Sequence, residues 1–299
     1  MILLTGASGT VGSALLRRLL AEGRPVRCLV RDPRELGLER VRVGLVLGDL
    51  GDPSSFRHAM RGVDCVVHLA TATRDSPRAS IEELNALATL RLLRAAEQAR
   101  VDRFLFLSTL GASRHSSVRY LRSRALAEQG VAAASLESTV VASSLVVTPG
   151  DRLLTLLDRL SWLPAIPILG SARACYQPIS AEDVASCALA ALDEPATGRF
   201  ELAGPEAMTY DDLVGAVLRA RGRRRRRVRI PAPALRAGLS GLERAVGATA
   251  FATSDEAELL SVSMTTERGT ADAERLGVRP LRLSAVLAQR GPGAMPGPL

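Results

Sequence analysis

Thr5-Gly6-Ala7-Ser8-Gly9-Thr10-Val11-Gly12 follows the apolar start Met1-Ile2-Leu3-Leu4 and opens a segment with Val11, Leu15, Leu19 and Leu20 at helical spacing. Gly23 breaks that helix, and Pro25 to Arg31 reads as a second strand. Strand, glycine turn, helix and strand in this order make a βαβ unit of the dinucleotide-binding kind. Gly6 takes the backbone angles of a tight turn. Gly9 lets the main chain approach a pyrophosphate, and Gly12 lets the helix pack close to the sheet. The helix N-terminus offers free N–H groups and a partial positive charge to phosphates. The spacing is G-x-x-G-x-x-G rather than G-x-G-x-x-G, and a glycine-rich turn of any α/β protein is the alternative reading. The flanking strands and helix favour a cofactor site at Gly6, Ser8, Gly9, Thr10, Val11 and Gly12.

The end of the second strand selects the dinucleotide. An acidic residue there suits the ribose hydroxyls of NAD, whereas an Arg suits a 2′-phosphate. The residue is Arg31, with Arg34 near enough to help. Asp32 comes one place too late for the acidic role and caps the next turn. A solvated surface Arg is the alternative. The reading favours NADP(H) over NAD(H).

A chain of 299 residues, 47% apolar and 23% charged, buries an ample core as one large domain or a domain with a smaller appendage. Its net charge of +8 comes entirely from Arg, since the chain contains no Lys. That pattern reflects base composition more than partner choice. At 3%, aromatic residues are too few for a stacking surface on single-stranded nucleic acid, so no nucleic-acid partner is expected. Cys28, Cys65, Cys175 and Cys187 form no C-x-x-C pair and no Cys/His spacing of a metal site. They read as free thiols, no metal is expected, and a reducing cytoplasm is the expected location. With the first strand beginning at Met1, no leader is expected. No uncharged apolar run reaches the roughly 18 residues of a spanning helix.

Val43 to Leu47 reads as a third strand, followed by Asp49, which is placed to accept from an adenine amino group or to cap a turn. Ser55 to Met60 is a short helix. Asp64 to Ala70 is a continuous apolar strand, as in a sheet covered on both faces. His68 reads as a satisfied sheet-end residue rather than a base. A long helix spans Ser80 to Gln98 with Ile81, Leu84, Leu87, Ala88, Leu92 and Ala95 in register. Asn85, polar on that apolar face, reads as a buried hydrogen bond or as the holder of a helix kink or a water near the site. Arg103 to Leu107 is a fifth strand ending at Ser108-Thr109. A helix carrying Tyr120 follows, and Val140 to Val147 is a sixth strand.

These blocks resemble the atypical branch of the short-chain dehydrogenase/reductase superfamily. The similarity is to the group of the NAD(P)H-binding accessory subunit of respiratory complex I and the NmrA-type redox regulators. It rests on T-G-A-S-G-T-V-G (5–12), C-L-V-R-D-P (28–33), G-D-L (48–50), H-L-A (68–70), F-L-S-T-L-G-A (106–112), Y-L-R-S-R-A-L-A-E (120–128), P-I-S-A-E-D-V-A (178–185) and F-E-L-A-G-P-E (200–206). It extends to about residue 290. The resemblance implies a Tyr-x-x-x-Lys motif, in which Tyr protonates a carbonyl oxygen and Lys binds the ribose hydroxyls. A Ser or Thr at the end of the fifth strand steadies the same oxygen. The matching positions are Tyr120, Arg124 in place of Lys, Thr109 and Ser108. Asp49, Leu50, Ala70, Ser108, Tyr120 and Arg124 join Arg31 and the glycine turn in the implied cofactor site. Arg keeps the charge but not the shape of Lys, and a tyrosine merely packed over the nicotinamide is the alternative role for Tyr120. Relatives often carry Arg-Pro and Gly-Pro-Gly after the sixth strand. Here Ser143 to Gly150 reads S-S-L-V-V-T-P-G.

Beyond Asp151, Leu153, Leu156, Leu157, Leu160, Trp162, Leu163, Ile166 and Ile168 read either as the wall of a pocket for an apolar substrate or as core. Ser180 caps a helix from Ala181 to Leu192, Arg199 to Leu202 is a strand, and Thr209 starts another capped helix. The run Arg221 to Arg229 reads as a solvated loop, a nucleic-acid or anionic-membrane site being the alternative. Two or three helices complete the lobe. The expected fold is α/β: a Rossmann-type doubly wound parallel sheet with a small, mostly helical C-terminal lobe. Its expected parts are an NAD(P)-binding core (1–150), a substrate or lid lobe interleaved with the end of the core (151–290) and a disordered tail (291–299). The expected activity is an NADP(H)-dependent reductase of a carbonyl or conjugated double bond in a small apolar substrate. The competing class is a non-catalytic NAD(P)H-binding redox sensor or assembly factor.

Overall fold

The computed structural model describes residues 1–76, 79–169, 174–193, 196–231 and 253–289. β1 (Ile2–Thr5) leads through the glycine turn into α1 (Thr10–Ala21) and β2 (Val26–Val30). α1 stops where the sequence requires: Gly23 has φ +68° and Arg24 N–H bonds back to Leu19 O. β3 (Gly44–Leu47), α2 (Pro53–Phe56), β4 (Cys65–His68), α3 (Ala88–Gln98), β5 (Arg103–Thr109), α4 (Arg119–Ala132) and β6 (Glu137–Ser143) follow. The later part holds β7 (Val146–Val147), α5 (Arg152–Leu160), β8 (Ala165–Leu169), β9 (Cys175–Tyr176), β10 (Ile179–Ser180) and α6 (Ala181–Asp193). β11 (Gly198–Leu202), β12 (Met208–Thr209), α7 (Tyr210–Ala220) and β13 (Arg226–Ile230) come next, then short helices at Ser254–Leu259, Ala271–Arg275 and Leu283–Ala288. The tail from 291 lies outside the described residues.

The main sheet has seven parallel strands in the order β11-β6-β5-β4-β1-β2-β3. The order reverses direction at β1 and β4, and in such sheets ligands bind beyond the carboxyl ends of the strands at that switch point. Pleating sends alternate residues to opposite faces. Leu4, Val67 and Leu105 pack with Leu15 and Leu19 of α1 and Ala185 and Ala188 of α6. Leu3, Val66, Phe104 and Phe106 pack on the other face with Leu92 and Ala96 of α3 and Val131 of α4. A third core joins Leu154 and Leu157 of α5, Ile166 and Ile168 of β8, and Leu213 and Val214 of α7. Of the later elements, α6 packs on the sheet and β11 joins it beside β6.

The helix expected from Ser80 to Gln98 is present, with one turn, Glu83–Leu87, wound as a π-helix. The sixth strand is shorter than its apolar run. It ends at Ser143, and Ser144 and Leu145 break it from β7. The Arg run departs most from expectation. Instead of a loop, Arg226–Ile230 is a strand in parallel register with β8.

Candidate functional site

The Gly6–Gly12 turn is set by backbone sterics. Gly6 has φ +72°, and a Cβ there would lie 2.5 Å from Ala70 N. A Cβ on Gly12 would lie 1.9 Å from Gly6 O, so Gly12 lets α1 close against the turn itself more than against the sheet. Gly9 N–H bonds to Gly6 O at 3.0 Å, and Gly9 caps α1 without a side chain. The first-turn N–H groups of α1 have no carbonyl one turn earlier to bind.

Two cavities open at the switch point and share Gly6, Gly9, Leu69 and Thr71 as a common wall. One, of about 230 Å³, is lined by Ser8, Arg31, Asp49, Leu50 and Ala70. The other, of about 300 Å³, is lined by Thr10, Val11, Gly12, Ser108, Thr109, Tyr120 and Arg124. The structure therefore gathers every expected site residue around one continuous depression.

In the first cavity Arg31 is exposed and has no ion pair or hydrogen bond with any described residue. Arg34 does not line this cavity, and its guanidinium meets Asp32 at 2.7 and 3.0 Å. Asp32 also accepts from Arg34 N–H at 2.9 Å, the capping role the sequence suggested. Asp49 is half committed to a turn, with Oδ1 accepting from Gly51 N–H at 2.8 Å. Sequence reading passed over Glu35, which lines this cavity and accepts from Ser8 Oγ at 2.9 Å. Its signal was only a carboxylate four residues beyond Arg31.

The second cavity is built by β5 and α4. Along β5, Ser108 lies on the face of Phe104 and Phe106, the side on which α4 packs. Tyr120 and Arg124 are four residues apart on α4 and so share one side of the helix. Arg124 is 1% exposed, with its guanidinium 4.4 Å from the Phe106 ring centroid and 6.0 Å from that of Tyr120. Its Nε and Nη1 and the Ser108 Oγ are buried and have no hydrogen-bond partner among the described residues. Burial draws the Arg124 pKa below its ordinary value, while Tyr120 and Glu128 oppose that drift. Thr109, by contrast, returns its hydroxyl to the main chain, with Leu110 O at 3.2 Å and Ser143 O at 3.3 Å. Buried polar atoms left without partners beside a glycine turn and a helix N-terminus fit a hydroxyl- and phosphate-rich ligand such as a dinucleotide.

Thr71 connects this cavity to the π-turn. Its Oγ1 lies 3.3 Å from Tyr120 Oη and 3.0 Å from Asn85 Oδ1. Asn85 is fully buried, accepts from Ala72 N–H and donates to Ala72 O and Ile81 O. It is both a satisfied buried amide and part of the π-turn. Its main-chain carbonyl accepts from Thr89 Oγ1 at 2.5 Å. Thr89 having donated its hydrogen there, His68 Nε2–H donates to Thr89 at 2.9 Å, and Nδ1 accepts from Thr5 at 2.6 Å. Burial and the nearby Arg124 charge push the His68 pKa down to about 3. His68 is a neutral structural link, as expected.

Ser143, Ser144, Leu145 and Val146, at the end of β6 and the start of β7, line the second cavity with Leu259 and Met264. The Trp162 segment does not. Leu157, Ile166 and Ile168 are core, Leu156, Leu160 and Leu163 line a separate groove along α5, and Trp162 is 62% exposed, so the segment is part core and part wall of a cavity away from the glycine turn. Burial raises the thiols of Cys28 and Cys187 to about 12 and that of Cys65 to about 11, which leaves them protonated and inert.

Residues 6–195 match the family described as NAD(P)H-binding. The chain belongs to that family. It is 29% identical over 241 residues to a ceramide reductase of Caulobacter vibrioides, covering 79% of this chain and 75% of that one. It is 31% identical over 247 residues to the (4-alkanoyl-5-oxo-2,5-dihydrofuran-3-yl)methyl phosphate reductase of Streptomyces griseus, covering 80% of each. It is 26% identical over 298 residues to the mitochondrial NADH dehydrogenase [ubiquinone] 1 alpha subcomplex subunit 9 of Rattus norvegicus, covering 93% of this chain and 76% of that one. The last match carries the resemblance to the complex I subunit across the C-terminal lobe. The fold is shared with a nucleoside-diphosphate-sugar epimerase of Staphylococcus aureus, at 17% identity, a TM-score of 0.75, and coverage of 96% of this chain and 99% of that one.

Proposed function

We propose that this NAD(P)H-binding protein is an NADP(H)-dependent reductase of a carbonyl or conjugated double bond in a largely apolar small molecule. The observation that carries the reading is the convergence of Tyr120, the unpartnered Ser108 Oγ and Arg124 on a cavity continuous with the glycine turn. When bound, the nicotinamide supplies the hydride. Tyr120 Oη donates a proton to the substrate oxygen. Ser108 Oγ donates a hydrogen bond to the same oxygen as charge builds on it. Thr109 shapes the wall behind, its hydroxyl being spent on the main chain. Arg124 Nε and Nη1, without partners among the described residues, would hold the ribose hydroxyls, and Thr71 holds the Tyr120 hydroxyl in place. Leu145, Val146, Leu259 and Met264 give the substrate an apolar wall. Arg31, without a partner among the described residues and lining the outer cavity, favours a 2′-phosphate. Two relatives named as reductases support the reaction class.

A second reading, a non-catalytic NAD(P)H-binding sensor or assembly factor, is favoured by Arg124 standing where active relatives carry Lys and by the complex I subunit among the relatives. Turnover of NADPH with long-chain ketones and enones separates them. The reductase reading expects Tyr120→Phe to lower kcat by about a hundredfold or more while NADPH still binds. Unchanged turnover in Tyr120→Phe removes that residue from the mechanism. Tight NADPH binding with no turnover of any acceptor supports the second reading.

A further inference from the structure

The end of α5, the turn after α7 and the start of β13 form one face whose chemistry the dinucleotide site does not use. Trp162, the only tryptophan of the chain, is 62% exposed and Leu163 is 48% exposed, with Pro164 exposed beside them. The ring is fixed there by the Arg run. Arg223 lays its guanidinium 3.7 Å from the Trp162 ring centroid and bonds to Ser161 Oγ, and Arg225 Nε donates to Ser161 O at 2.9 Å. Acidic partners neutralise part of the run: Asp158 faces Arg221 at 2.9 Å and Arg223 at 3.7 Å, and Asp211 meets Arg227 at 2.8 Å. Arg159, Arg224 and Arg226 are exposed and have no ion-pair partner among the described residues. Arg224 lies between the two arginines anchored at Ser161, and Arg226 is in register with Ala165, three residues beyond Trp162. An exposed Trp-Leu-Pro knob is thus bordered by guanidinium groups that no carboxylate among the described residues neutralises.

We propose that this face docks on an anionic phospholipid bilayer, with Trp162 at headgroup depth, Leu163 toward the acyl boundary and Arg159, Arg224 and Arg226 on phosphates. Amphipathic aromatic rings settle at the membrane interface, and clustered Arg beside a buried apolar anchor adds attraction to acidic lipid. Among the described residues no helix is long and apolar enough to span a membrane, so the contact is peripheral. Nucleic acid fits the face less well. Bases stack on open aromatic faces, whereas one face of Trp162 is already covered by Arg223, and phosphate contacts alone leave Leu163 and Pro164 unused. A groove along α5, with Leu156, Leu160 and Leu163 in its wall, adjoins the knob and offers about 520 Å³ for an acyl portion. The proposal is independent of turnover and stands if the reductase reading fails.

Trp162 is its own reporter. The full chain is mixed with vesicles of phosphatidylcholine alone or with about a third phosphatidylglycerol, at low and moderate salt, and followed by tryptophan emission and flotation. Anionic vesicles are expected to shift the emission to the blue and float the protein, more weakly at higher salt. Arg224→Ala with Arg226→Ala is expected to weaken partitioning by roughly thirtyfold. Arg57→Ala with Arg61→Ala, an equal change of charge on the segment before β4, is expected to leave it nearly unchanged. No blue shift or flotation with anionic vesicles overturns the proposal. So does an equal loss in both double variants, which reduces the effect to net charge, or capture by duplex DNA in preference to the vesicles.

Discussion

Arg124 brings a guanidinium into a site where 1% of its surface meets water and two of its nitrogens have no partner among the described residues. An uncompensated buried charge lowers stability, and an apolar residue of similar length is often neutral or better. Arg124→Met is therefore expected to leave the thermal midpoint of the free protein unchanged or higher, while weakening NADPH by about 1.5–3 kcal/mol in a fluorescence titration. A destabilised free protein with normal NADPH affinity contradicts this account of Arg124. At the outer cavity Arg31 and Glu35 present opposite charges to the same space. Arg31→Ala is expected to weaken NADPH by about 1.5–3 kcal/mol and NADH much less, whereas Glu35→Gln shifts the preference toward NADPH. Equal effects of Arg31→Ala on both dinucleotides rule out a 2′-phosphate contact. The two neighbouring hydroxyls of β5 show what sequence leaves open. Ser108 and Thr109 were both legible as candidates, but which one is free depends on the pleat and on the carbonyl of Ser143 in the next strand.

Among the elements, β4 and α3 are tied by the chain Thr5–His68–Thr89–Asn85, and this has a pH signature. His68 has a folded pKa of about 3, against about 6.5 in an unfolded chain. Below pH 6.5 the unfolded state binds a proton that the native state refuses, so stability falls as pH falls through that window. Urea unfolding is expected to show a loss of about 2 kcal/mol from His68 between pH 7 and pH 5, and His68→Gln removes that part of the pH dependence. An identical dependence in the variant assigns it to other groups. The opening βαβ unit was legible because glycine sterics and helical periodicity act locally. The π-turn was not, since it forms only when Asn85 meets the backbone at Ala72 across the loop after β4. β13 was hidden because three of its five residues are arginines and the short alternation of Val228 and Ile230 ends a charged run, and its pairing with β8 is a tertiary event.

At the scale of the whole molecule, the site draws on both the sheet and the later lobe, with Leu259 and Met264 completing a cavity begun by the glycine turn. A ligand there is expected to stabilise the fold as a unit. NADPH at a hundred times its Kd adds about 2.7 kcal/mol, a rise of roughly 5 °C in Tm for a chain of this size, in a single transition seen alike by circular dichroism and by Trp162 emission. Two separated transitions, with only one moved by NADPH, contradict a shared site. The doubly wound sheet could be read from sequence because each strand–helix unit announces itself. The wall supplied by residues beyond 250 could not, because it depends on where a distant segment returns.

The most direct test of the central claim uses NADPH deuterated at the transferable position, with wild-type protein and Tyr120→Phe, against an extract of the producing cells. The account predicts deuterium in an apolar small molecule with wild-type protein and little or none with Tyr120→Phe. Tight NADPH binding without any labelled product, or equal labelling by both proteins, would contradict it.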